Sequence, residues 1–143
     1  MGHVQGNLFG KHGDQRATIH VIADAISLAR TTLTSLLPRE SLSKETDSAL
    51  LSIIGFPAFA VGKETLATQT RDSILTKLGG NYGCKRFLWD GHQTVLEESS
   101  RIYYEHDELG NFAHVESEWP LFFTYLYITA LFDGSEATAK YYR

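Results

Sequence analysis

An apolar segment near the C-terminal end constrains this chain more than any other feature. Residues 120–132 read PLFFTYLYITALF, and their only polar side-chain groups are the hydroxyls of threonine and tyrosine. Pro120 fits the first turn of a helix, where its fixed φ is favourable and its missing N–H costs nothing. A helix that is apolar on every side is stable only when other elements cover it. The segment therefore predicts a helix from Pro120 to Phe132 that is buried on nearly all sides.

The composition is that of an ordinary globular domain, and it narrows the classes of function. Of the 143 residues, 43% are hydrophobic and 21% are charged, and the net charge is −4. Lysine and arginine do not cluster, so the chain lacks the basic patch with which proteins bind nucleic acid. No apolar run reaches the roughly 20 residues that a membrane-spanning helix requires. The single cysteine, Cys84, rules out an internal disulfide and suits a reducing cytoplasm.

The spacing of apolar residues predicts a mainly α-helical fold. Apolar side chains recur every three or four residues, which is the helical period, and proline or glycine closes each run. The predicted helices span residues 17–37, 47–54, 63–78, 120–132 and 136–143. Irregular loops separate them, and Asp90-Gly91 predicts a short β-hairpin. Because both ends look truncated, we expect residues 1–143 to form a single partial domain.

The densest carboxylates and aromatic rings lie just before the apolar helix. Glycoside hydrolysis needs two carboxyl groups on opposite sides of a sugar oxygen, and sugar rings pack against flat aromatic faces. The candidate carboxylates are Glu105, Asp107, Glu108, Glu116 and Glu118, and the candidate rings are Tyr103, Tyr104, Trp89 and Trp119. The alternative is that residues 105–108 form a solvated acidic turn and that Glu118 merely caps the helix, where a carboxylate is favoured by the helix dipole.

Other reaction classes find less support in the sequence. A metal site would combine His106, Asp107 and His114 with a nearby glutamate, but this spacing matches no metal-binding motif. There is no serine-hydrolase elbow and no phosphate-binding loop. Cys84 has no histidine near it in the sequence, so we interpret it as a small apolar residue rather than a reactive thiol. We therefore expect no metal and no cofactor.

Four segments resemble, in the same order, one protein family. They are IHVIADAISLARTTLTSLLPRESLSKETDSALLSIIGFPAFAV, KLGGNYGCKRFLWDGHQT, SRIYYEHDEL and ESEWPLFFTYLYITALFDG. Within residues 7–142 the sequence resembles the regulatory subunits of phosphorylase kinase, and it is nearer to the alpha type than to the beta type. The resemblance implies a partial (α/α) toroid of the glucoamylase-like type, with this chain as the C-terminal part of that toroid in the N-terminal domain of a long subunit.

The resemblance also implies a function through protein contacts rather than catalysis. Regulatory subunits of this family join beta, catalytic gamma and calmodulin (delta) subunits, and they restrain the kinase until calcium or phosphorylation relieves the restraint. The implied role is thus a non-catalytic, cytoplasmic segment that helps to control glycogen breakdown. The calmodulin contacts, and the prenylated tail through which an alpha subunit is a membrane lipoprotein of the inner face of the plasma membrane, would lie outside this chain.

The glucoamylase side of the resemblance implies one vestigial catalytic position. Glu118 precedes Trp119-Pro120, where the general base of such hydrolases falls, and Glu116 is the fallback. The partner acid would come from an earlier segment that is absent here, so the two-carboxylate mechanism is incomplete. The implied sugar-binding residues are Trp119, Trp89, Arg101 and Tyr103.

Three hypotheses about function stay open at this point. The first is the regulatory segment, which rests on the order and extent of the resemblance. The second is a glucoamylase-like glycoside hydrolase or glycan-binding remnant centred on Glu118. The third is a truncated gene product without a function of its own, which rests on the short last helix.

Overall fold

Helices dominate the structure, and the chain divides into two compact units. The computed structural model describes residues 2–6, 17–42 and 44–143. The two units are Met1–Ser35 and Leu36–Arg143. Helices make up most of the regular structure in the described part of the chain, so the prediction of a mainly α-helical protein is confirmed.

The first unit holds a strand pair and most of one helix. Strand β1 (Gly2–Gly6) pairs antiparallel with strand β2 (Ala17–Val21), and helix α1 follows as Ala23–Leu36 without a buried residue. The helix predicted over residues 17–37 therefore begins too early. The sequence ATIHV of β2 carries the β-branched residues that favour strands, and its pairing with β1 overrides the helical spacing.

The second unit is built from helices joined by irregular loops. Asp47 caps the first of them by accepting the N–H of Ala49 at 2.8 Å. The elements are a 3₁₀ turn at Ser48–Leu50, α2 (Leu51–Ile54), α3 (Glu64–Leu78), α4 (His106–Leu109), a 3₁₀ turn at Gly110–Phe112, α5 (Pro120–Phe132) and α6 (Glu136–Tyr141). These elements confirm the helices predicted over residues 47–54, 63–78, 120–132 and 136–143. None of the described helices has both the length and the apolar character needed to cross a membrane.

Helix α5 has the predicted bounds but is fully buried along one stripe only. Phe122, Leu126 and Ala130, spaced four residues apart, are its buried residues. In contrast, Leu121 and Phe132 are 52% and 67% exposed. The prediction that this helix is buried on nearly all sides is wrong for this chain, because α2 and α6 contact only part of its circumference.

The loop between α3 and α4 contains no regular hairpin. Residues 85–104 form turns and bends. Asp90 instead receives two hydrogen bonds of 2.5 and 2.7 Å from the Arg86 guanidinium, and one of 3.1 Å from the N–H of His92. The predicted hairpin at Asp90-Gly91 is therefore wrong, because the aspartate is buried and organises the loop through its side chain.

Candidate functional site

The segment before α5 is tied to the loop that follows α3. The N–H of Trp119 donates to the carbonyl of Cys84 at 2.8 Å, and the N–H of Cys84 donates to the carbonyl of Trp119 at 3.3 Å. Gly83 packs directly on the Trp119 backbone, where a side chain would have no room. This crossing places residues 116–119 beside residues 80–92, and Pro120 then begins α5.

Glu116 is a buried carboxylate of this region. Its side chain is 1% exposed, and its two oxygens accept the Lys85 ammonium at 2.8 Å and the backbone N–H of Trp89 at 3.1 Å. Burial alone would raise the pKa of Glu116, but the Lys85 ammonium and the Trp89 N–H outweigh it, so the pKa lies below its usual value. Glu116 is thus ionised at neutral pH, with a protein donor on each oxygen.

Glu118 closes the tight loop at residues 79–83. Its carboxylate accepts the backbone N–H of Tyr82 at 2.7 Å. The same carboxylate lies directly against Gly80, at the place that a side chain there would occupy. The structure therefore gives Glu118 a hydrogen-bonding role in the loop, while its role as a vestigial general base stays a prediction.

Two side chains, those of His92 and Arg86, lie near the Trp119 indole. The His92 ring lies parallel to it within 6°, with the ring centroids 6.1 Å apart. The Arg86 guanidinium, held by Asp90, is 5.6 Å from the indole centroid. The indole N–H is buried and finds no hydrogen-bond partner in the described part of the chain. Trp119 therefore serves first as a packing residue at the start of α5.

Trp89 presents its side chain to an open cavity. Its φ of +63° is unusual for a bulky residue, and the hydrogen bond from its N–H to Glu116 helps to hold that conformation. The indole is 44% exposed and, with Lys44, Thr46 and Phe87, lines a cavity of about 300 Å³. The Lys44 ammonium lies 4.1 Å from the centre of the Phe87 ring. An exposed aromatic face and a cation thus border one cavity.

Arg101 and Tyr103 lie in the loop that precedes α4. Arg101 donates to both oxygens of Glu108 at 3.0 and 2.7 Å, and its guanidinium covers the Tyr104 ring at 4.3 Å. The Tyr103 hydroxyl donates to Glu105. The hydrogen bond from Arg101 lowers the pKa of Glu108 to about 2. Arg101 and Tyr103 therefore form hydrogen bonds with the nearby glutamates Glu108 and Glu105.

The predicted site residues divide into two groups. Glu116, Glu118, Trp119 and Trp89 meet around residues 80–92, whereas Arg101 and Tyr103 share no hydrogen bond or ring contact with them in the described chain. Sequence reasoning missed Lys85, because it pairs with a glutamate 31 residues away. It also missed the pairing of Arg86 with Asp90, for which the spacing of four residues was an available signal.

The described residues hold no group of three or more histidine, cysteine, aspartate or glutamate side chains that could bind a metal ion. His106, Asp107 and His114 therefore do not converge on one point. The arrangement at residues 116–119 is instead suited to holding a loop and an aromatic side chain in place. One partner in glycoside hydrolysis must be a protonated acid, and Glu116 does not supply it because its pKa is lowered.

Several curated proteins are similar to this chain along nearly its whole length. It is 48% identical over 137 residues to the phosphorylase b kinase regulatory subunit alpha, skeletal muscle isoform, of Oryctolagus cuniculus, covering 96% of this chain and 11% of that protein. It is 49% identical over 136 residues to the probable phosphorylase b kinase regulatory subunit alpha of Drosophila melanogaster, which covers 95% of this chain and 11% of that protein. It is 47% identical over 139 residues to the probable regulatory subunit alpha of Caenorhabditis elegans, which covers 96% of this chain and 11% of that protein. No protein-family model matches the chain.

Proposed function

We propose that this chain, whose resemblance to the regulatory alpha subunits of phosphorylase b kinase is confirmed, is a non-catalytic segment of such a subunit. The observation that carries the proposal is the identity of 48% to the alpha subunit of Oryctolagus cuniculus over 96% of the chain. The chain spans only 11% of the length of the curated relatives it matches. The activity and the partners that follow are therefore those proposed for a whole regulatory subunit.

In this proposal the segment helps a cytoplasmic regulatory subunit to control glycogen breakdown. The subunit contacts beta, catalytic gamma and calmodulin subunits, and a prenylated tail outside this chain anchors it to the membrane. The segment itself forms part of a glucoamylase-like helical toroid. The exposed apolar side of α5 supports such an arrangement, since Leu121, Leu131 and Phe132 need cover from further elements.

The second candidate function is glycan binding, or glycoside hydrolysis, centred on Glu118. The half-exposed indole of Trp89 supports glycan binding, because an accessible aromatic face suits a sugar ring. Hydrolysis has less support. Glu118 already accepts the N–H of Tyr82, and Glu116 is ion-paired with Lys85.

The test is co-purification of the full-length protein with a phosphorylase kinase catalytic subunit and calmodulin. We expect a stable complex whose kinase activity is restrained without calcium. Glu118→Gln should leave both properties unchanged, as should the control Glu136→Gln in the first turn of α6. Release of glucose from a glucan by the protein alone, abolished by Glu118→Gln and not by Glu136→Gln, would replace the regulatory function with the hydrolase.

A further inference from the structure

A second cavity, of about 240 Å³, lies among α3, α5 and α6, and none of the predicted site residues lines it. Part of its wall is apolar and comes from Leu126 and Ala130 of α5. The polar part is contributed by Arg71, Asp133, Thr138 and Tyr142, among others. One volume of this size therefore combines an apolar surface with two opposite charges and hydroxyl groups.

Neither of the two charges that line this cavity has an ion-pair partner among the described residues. Arg71 is half-buried, and among the described residues its side chain makes one hydrogen bond, a long contact of 3.4 Å with the Thr68 hydroxyl. A guanidinium carries five N–H donors, so most of the Arg71 donors have no partner among the described residues. Asp133 lies at the exposed rim, after the end of α5. Although they share a cavity, the two residues do not pair with each other.

We propose that this cavity binds a small zwitterion of the α-amino acid class with an aliphatic side chain. The ligand carboxylate pairs with Arg71 in the two-pronged geometry that a guanidinium favours. The ligand ammonium pairs with Asp133, and the aliphatic part packs on Leu126 and Ala130. A water occupies about 30 Å³ of liquid, so the volume of about 240 Å³ suits a ligand of roughly eight or nine non-hydrogen atoms.

The balance of charge favours a zwitterion over other small ligands. An inorganic phosphate would gain from Arg71 but would be repelled by Asp133. An uncharged ligand would displace water from both charges without replacing its hydrogen bonds. Only a ligand with both charges satisfies both residues. This inference does not depend on the kinase complex and goes beyond the function proposed above.

The test measures binding of three probes to the full-length protein by titration calorimetry. The probes are L-leucine, 4-methylpentanoate, which lacks the ammonium group, and 3-methylbutylamine, which lacks the carboxylate. We expect saturable binding of L-leucine and at least ~10-fold weaker binding of each analogue, since each loses one charged hydrogen bond. Arg71→Gln and Asp133→Asn should each weaken L-leucine binding by at least ~10-fold.

Two exposed residues of α3 that do not line the cavity provide matched controls. Asp72→Asn and Lys77→Gln remove the same charges and should leave L-leucine binding unchanged. Absence of saturable L-leucine binding would overturn the proposal. So would equal binding of 4-methylpentanoate, unaffected by Asp133→Asn, or displacement of L-leucine by inorganic phosphate, because either result would indicate a simple anion site.

Discussion

The Lys85 ammonium lies 2.8 Å from the Glu116 carboxylate, in an ion pair whose side chains are 20% and 1% exposed. The pair joins the loop after α3 to the segment before α5. Removing both charges from water costs free energy that offsets much of their attraction, so such a pair adds little net stability. Removing only one of the two charges has a larger effect, because the remaining charge is then buried without a partner and destabilises the fold.

Lys85→Met should lower the free energy of unfolding by about 3 kcal/mol, because Glu116 would then be a buried, unpaired carboxylate. Urea denaturation of the 143-residue chain measures this change. Lys77→Met is the matched control, since its pair with Glu45 is 41% and 71% exposed. The control should cost less than ~1 kcal/mol. Equal losses for the two variants would show that the buried pair has no special role.

The stabilising effect of Glu116 should disappear in acid. Burial tends to raise the pKa of this carboxyl, but the hydrogen bonds from Lys85 and Trp89 outweigh burial and lower the pKa, so the folded state prefers the ionised form. A lowered folded pKa contributes stability that is fully present above the ordinary glutamate value of 4.5 and is lost as pH falls through the folded value. The difference in unfolding free energy between the native protein and Glu116→Gln should therefore shrink as the pH falls from neutral to below 4.5. A difference independent of pH would contradict this assignment.

The helices of the second unit could be predicted because their signals are local. The apolar spacing of α3 and the proline at the start of α5 each depend on neighbours within a few residues. The strand β2 could not be separated from α1 in the same way, since its conformation depends on pairing with β1. Local spacing therefore gave the correct type of element for the four helices predicted in the second unit, but not for β2 or for the hairpin at Asp90-Gly91.

The contacts of the candidate site residues depend on partners that are distant in the sequence. Clustering in sequence drew attention to residues 116–119, but it could not show that Lys85 and the Trp89 N–H occupy the two oxygens of Glu116. It also grouped Arg101 with Trp119 as sugar-binding residues, whereas Arg101 is engaged with Glu108. Hydrogen bonds between distant residues decide which carboxylates are free, and the sequence pattern does not contain them.

Cys84 should be inert toward thiol reagents in the folded protein. Its side chain is fully buried, and burial raises the pKa of the thiol from 9.0 to about 11. Two pKa units reduce the thiolate fraction by ~100-fold, and burial blocks access as well. We expect reaction with a disulfide reagent at pH ~8 to be at least ~100-fold slower in the native chain than in urea. Equal rates in the two states would show that this thiol is not enclosed.

The same thiol gives a prediction for alkaline conditions. Because the folded pKa of Cys84 is raised, its contribution to stability is fully present below 9.0 and is lost as pH rises toward about 11. Cys84→Ala lacks this titration. The native chain should therefore lose stability relative to Cys84→Ala over that pH range, as measured by urea denaturation. A constant difference between the two chains would contradict the raised pKa.

Two glycines that face residues 116–119 should respond differently to substitution by alanine. A Cβ at Gly83 would overlap the backbone carbonyl group of Trp119, whereas the three atoms nearest to a Cβ at Gly80 all belong to the side-chain carboxylate of Glu118. Backbone at this crossing is fixed by its hydrogen bonds to Cys84, but a carboxylate can move away. Gly83→Ala should therefore cost about 3 kcal/mol, and Gly80→Ala about 1 kcal/mol, for the lost hydrogen bond to Tyr82.

A double substitution separates the two mechanisms. In a Glu118→Ala background the obstacle to a side chain at Gly80 is gone, so Gly80→Ala should become nearly neutral, while the cost of Gly83→Ala should persist. Gly110→Ala, with no atom within 4 Å of its Cβ, is the control and should not destabilise the chain. Urea midpoints of these variants measure each effect. Rescue of Gly83→Ala by Glu118→Ala would show that the carboxylate, rather than the Trp119 backbone, limits the space in this loop.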